Sequence, residues 1–139
     1  MLVVLTFVIV PACGKKGPPR PPRTVTPPAV SDLSAKVEGE RIQLSWSLPR
    51  RDGEVVEGIE GFQIFRYRTQ DWEKLCPNCP MDFRTFKKVD APTAGTGDRG
   101  RVTAYDVLEP GYGYVYKVLV LHESGGVSKD SNIAKVMPR

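Results

Sequence analysis

The sequence predicts an all-β fold: one antiparallel β-sandwich of about seven short strands. Three observations carry this. Apolar residues alternate with polar ones in short runs, as in "RIQLSWS", where Ile42, Leu44 and Trp46 interleave with Arg41, Gln43, Ser45 and Ser47. Turn-forming residues separate the runs. No stretch holds a helical period over three turns. The chain has 139 residues, which suits a single domain.

The elements follow in chain order. The N-terminus is not part of the sandwich. Residues 2–10 form an apolar run of nine, too short for a membrane span of about 20 residues. It suits the apolar core of a secretory signal over residues 1–12. "VPAC" ends it, and the composition then turns abruptly to Lys, Gly and Pro. Residues 13–28 read as a stem with too little apolar surface to fold. Proline favours an extended chain there, reaching roughly 45 Å at about 3.1 Å per residue.

The stem also holds the charge excess. The chain carries a net charge of +4. Lys15, Lys16, Arg20 and Arg23 face no acid before Asp32, and beyond them cations and acids balance. A nucleic-acid-binding domain would carry its basic patch on the folded part, so no nucleic acid is expected as a partner. A basic stem beside an anionic membrane surface fits better.

Residues 29–139 read as the folded domain. Period-two patterning predicts strands over 31–37, 41–47, 61–68, 83–89, 101–107, 114–121 and 131–137. Trp46, Phe62, Ile64, Leu108, Tyr114, Tyr116 and Val118 are the expected core. Phe65 and Tyr67 fall on the opposite face from Phe62 and Ile64. They either meet a facing strand or form, with Trp72, a binding face.

Two family resemblances rest on these residues. "VPAC" resembles a bacterial lipobox. That implies a diacylglyceryl thioether and an N-acyl group on Cys13, which becomes the first mature residue. Pro11 stands where a small residue is usual, and no Lys or Arg precedes Cys13; a start further upstream would supply the basic segment. Gly14 rather than Asp after the cysteine implies the outer membrane rather than the inner. "CGKKGPP" is also similar, over about ten residues, to the start of small proteobacterial lipoproteins linked to assembly of the lipopolysaccharide-export machinery. Further on, "PPAVSDLSAKVEGERIQLSWSLP", "GIEGFQIFRYR" and "AYDVLEPGYGYVYKVLVLHESGGVSKDSN" resemble a fibronectin type III domain, an immunoglobulin-like sandwich. Trp46 falls at the family's core tryptophan. "LEPGYGY" matches its tyrosine corner, where Tyr114 is expected to bond back to the backbone.

Residues 69–82, "TQDWEKLCPNCPMD", interrupt that pattern. With Cys13 lipidated, Cys76 and Cys79 are an even pair in an exported protein, and a disulfide is expected. A thiol-disulfide role would want a helix N-terminus beside the first thiol. Zinc would need a second ligand pair, and His122 is the only histidine, so no metal is expected. A haem thioether site would need His where Pro80 stands. No triad, phosphate loop or ligand cluster is present. The sequence thus predicts a non-catalytic envelope lipoprotein without cofactor. It would bind or scaffold an envelope protein or a polysaccharide. A thiol-disulfide accessory and a cell-wall carbohydrate module are the alternatives.

Overall fold

Alternation becomes burial in the strand Arg41–Ser47 (β2): Ile42, Leu44 and Trp46 are fully buried and Arg41 is exposed. The computed structural model describes residues 21–76, 79–92 and 100–138. The expected signal, Cys13 and the first part of the stem lie outside the described residues.

The strands are β1 (Ser34–Glu38), β2, β3 (Arg50–Arg51), β4 (Glu54–Val55), β5 (Ile59–Thr69), β6 (Arg84–Asp90), β7 (Arg101–Val107), β8 (Gly113–His122) and β9 (Ala134–Val136). They form a three-stranded sheet, β1-β2-β7, and a four-stranded sheet, β6-β5-β8-β9, all pairs antiparallel. β3 and β4 make a small hairpin of their own. The two large sheets face each other across one core: an immunoglobulin-like β-sandwich.

Register aligns the inward residues. Phe62 lies opposite Val120 and Ile64 opposite Val118 in β5–β8, while Trp46 lies opposite Val102 in β2–β7. Trp46 meets Phe62 edge-on across the sheets, 5.3 Å between ring centres. Each large side chain buried here contributes roughly 1.5–3 kcal/mol.

The strands over 41–47 and 101–107 coincide with the expected ones. The first and last strands are shorter than expected, for a physical reason. At the first, Asp32 leaves the sheet: its carboxylate accepts the Ser47 N–H at 3.0 Å and the Ser47 hydroxyl at 2.6 Å. Leu33 is then stitched to Asn132 through both backbone groups, each at 2.9 Å. At the last, Ser128 and Ser131 accept the N–H groups of Val120 and Val118 through their side chains, so regular pairing begins only at Ala134. The β3–β4 hairpin was not expected. Its Asp52-Gly53 turn has φ of 53° and 87°, the doubly positive geometry that Asp-Gly favours between paired strands.

Contact with the domain begins before Ala29. The Val25 N–H donates to Ser124 Oγ at 2.9 Å, Arg51 donates to the Thr26 carbonyl at 3.1 Å, and Pro27 is buried. Gly126 makes room for this strap, because a methyl group there would run into the Val25 carbonyl.

Candidate functional site

β5 carries residues of both faces. Phe62 and Ile64 point inward, while Phe65 and Tyr67 point outward and are half-buried. The outward pair does not stand bare. Lys117 on β8 lies with its Nζ 5.6 Å from the Phe65 ring centre and 4.7 Å from that of Phe83. Asp130 holds that ammonium at 2.9 Å. Tyr67 and Phe83 sit 6.4 Å apart. Phe83 and Lys117 are members of this face that sequence reasoning missed. The signal lies in β8, where Lys117 is the one charge between apolar residues.

Trp72 sits apart from Phe65. It opens a single helical turn, Trp72–Lys74, after β5. Its ring is seated on Gly113, the first residue of β8, where a methyl group would collide with it. Just beyond, Val115 is fully buried although it faces away from the core, opposite Tyr67 in the β5–β8 register. The described residues of the segment, 69–76 and 79–82, therefore fold back over one end of the four-stranded sheet. Cys76 and Cys79 are joined, their Cα atoms 5.3 Å apart. Tyr67, Thr69, Leu75, Cys79, Pro80 and Met81 enclose a hollow of about 230 Å³ beside the bridge.

The inner side of the same end is polar. Arg66 donates to both oxygens of Asp106 at 2.9 and 3.0 Å, and Tyr116 donates its hydroxyl to that carboxylate at 2.8 Å. Asp106 also accepts the Val107 N–H. Burial, then the Asp106 hydrogen bond, pushes the Tyr116 phenol far above its ordinary range. The Arg66 guanidinium lies 4.4 Å over the Phe86 ring, and that of Arg68 lies 4.6 Å over Tyr112. Arg66, Arg68, Asp82, Arg84 and Phe86 line a groove of about 310 Å³.

The two expected core markers sit in the core. Trp46 is fully buried, and its indole N–H finds no partner among the described residues. The Tyr114 hydroxyl accepts the Glu109 N–H at 2.9 Å, and its ring stacks on Tyr116. His122 is the last residue of β8 and is buried. Its Nε2 donates to the Glu57 carbonyl at 3.1 Å, and its Nδ1 accepts the Ser124 N–H at 3.1 Å. It thus positions Ser124, whose hydroxyl accepts the Val25 N–H of the strap. Among the described residues no His, Cys, Asp or Glu group could hold a metal ion, and no helix is long and apolar enough to cross a membrane.

No family model matches the chain, and no curated protein matches it. Solved structures do. The third fibronectin III domain of human KIAA0343 protein is 17% identical, with a TM-score of 0.50, covering 93% of this chain and 94% of that one. Chicken CNTN1 FN1-FN3 domains are 20% identical at a TM-score of 0.50, covering 84% of this chain and 33% of that one. A beta-1,2-glucanase from Parabacteroides distasonis is 20% identical at 0.52, covering 87% and 14%. The chain spans 33% and 14% of the last two, which are larger proteins, and nearly all of the first. The likeness is one of fold: a fibronectin type III-like sandwich.

Proposed function

We propose that this protein is a lipid-anchored, non-catalytic binding or scaffolding module of the bacterial outer membrane. The observation that carries it is the polarity of the sandwich. The strap at Val25, His122 and Ser124 lies at the start of β5 and the end of β8, since Ile59 pairs with His122. The disulfide-closed segment lies at the opposite end, where Thr69 pairs with Gly113. β5 runs eleven residues between them, about 33 Å at roughly 3.3 Å per residue. A stem fixed to lipid at Cys13 would enter at the first end and turn the second toward a partner. The lipobox-like seam, the proline-rich stem and its basic charge support the anchor.

A photoreactive residue at Lys74, on the far end, tests this in intact membranes. It is expected to give one discrete crosslinked partner, while the same residue at Glu57, beside the strap, gives none. Crosslinks from Glu57 alone, or from neither position, would contradict the reading.

A further inference from the structure

We propose that the edge of β6, with the groove at its start, takes an acidic, extended segment of a partner protein. This deepens the binding-module reading and rests on it. β6 is an outer strand of its sheet, so among the described residues one side of its backbone has no neighbouring strand. An extended chain can pair there as an added strand.

The charge of that edge is one-sided. Arg84, Lys87 and Lys88 lie along seven residues with Asp90 as the only acid. Lys88 is engaged by Glu60, whereas Lys87 has no ion-pair partner among the described residues. Arg84 meets only Asp82, at 3.4 Å, and both are mostly exposed. Such a pair is screened and easily exchanged. Cations on an outer strand also discourage chance pairing between sheets. The groove separates the two roles, because protection alone would not gather guanidinium groups behind the strand.

There, the guanidiniums of Arg66 and Arg68 lie over Phe86 and Tyr112, Arg66 bonded to the buried Asp106 and Arg68 to the exposed Glu109, each through Nη1 alone. Nη2 and Nε of both remain without partners among the described residues. A guanidinium offers five donors in a fixed fork that matches a carboxylate. Guanidiniums already held by a ring and a carboxylate lose little freedom on binding, so the groove is ready to receive a carboxylate side chain. The adjacent strand edge favours a polypeptide over a polysaccharide, because only the former offers backbone N–H and C=O groups in register.

The test uses the full chain, a short synthetic peptide alternating Glu with Val, and polygalacturonate. Binding is followed by amide chemical shifts and amide hydrogen exchange. The peptide is expected to bind, to slow exchange along β6, and to lose roughly tenfold in affinity in the Arg84→Glu/Lys87→Glu variant. The Lys36→Glu/Lys135→Glu variant, reversed elsewhere, is expected to bind as the parent does. Equal weakening in both variants would reduce the effect to bulk charge and overturn the proposal. Binding of polygalacturonate without slowed exchange in β6 would assign the groove to acidic polysaccharide instead. No saturable shift with either probe would also overturn it. A crosslinked partner found from Lys74 alongside that negative result would leave the binding module standing and refute only the β6 site.

Discussion

At the residue scale, the informative groups are polar ones in the core. Asp106 ties both sheets together through Arg66 and Tyr116. Asp106→Asn leaves the Arg66 charge partly buried without its partner, which costs about 3 kcal/mol. Tyr116→Phe removes only a hydroxyl and costs about 1 kcal/mol. Urea unfolding of the two variants is expected to separate them in that order. Tyr114→Phe orphans the Glu109 N–H and is expected to cost about 1–3 kcal/mol by the same measurement. Asp32 gives a pH test. Partial burial raises its pKa, but the Ser47 hydrogen bonds and Arg101 outweigh this and hold it below the usual 3.8. A depressed folded-state pKa stabilises the fold above the unfolded value, and the contribution fades as pH falls through the folded one. The stability gap between the parent and Asp32→Asn is therefore expected at neutral pH and should close below pH 3.8. A gap independent of pH would contradict this origin. Trp46 and Tyr114 were legible because large aromatics at inward positions of alternating runs have few other places to go. Asp106 was not, since an acid at an inward position reads as a break in the pattern until its partners from β5 and β8 are seen.

At the element scale, the described residues of the segment 69–82 form a cover, not a free loop. The ring closed by Cys76 and Cys79 is small, so loop entropy contributes only roughly 2 kcal/mol. Reduction is expected to leave the sandwich folded. A reduction potential below about −300 mV marks a structural bond, and a higher one would favour the thiol-disulfide alternative. Gly113→Ala forces a methyl group into the seat of Trp72. It is expected to cost about 1–3 kcal/mol and to shift Trp fluorescence toward the exposed range, while leaving Trp46 buried. Unchanged emission would mean that Trp72 does not hold the cover down. The insertion was visible in the sequence as an interruption, and its cysteines as a pair. Its seat on Gly113 and Val115 was not, because a glycine at a strand start shows nothing of the ring that fills its missing side chain. The β3–β4 hairpin was missed for a related reason: two paired residues on each side are too few to show a period, although Asp52-Gly53 named the turn.

At the scale of the whole molecule, the sandwich class and its core follow from alternation and turns, whereas the strand order is seen only in the structure. The polarity does not follow from them either. It depends on Val25 reaching Ser124 across 99 residues of sequence, and on β5 and β8 being long enough to separate the two ends. Under the proposed anchor, that polarity would decide which end of the domain meets lipid and which meets a partner. The lipid anchor is thus the claim on which the rest turns. The most direct test is the mass of the N-terminal peptide from protein purified out of membranes. A chain beginning at Cys13 and carrying the added mass of a diacylglyceryl and an N-acyl group is the expected result. An unmodified Cys13, or a mature chain beginning elsewhere, would contradict it.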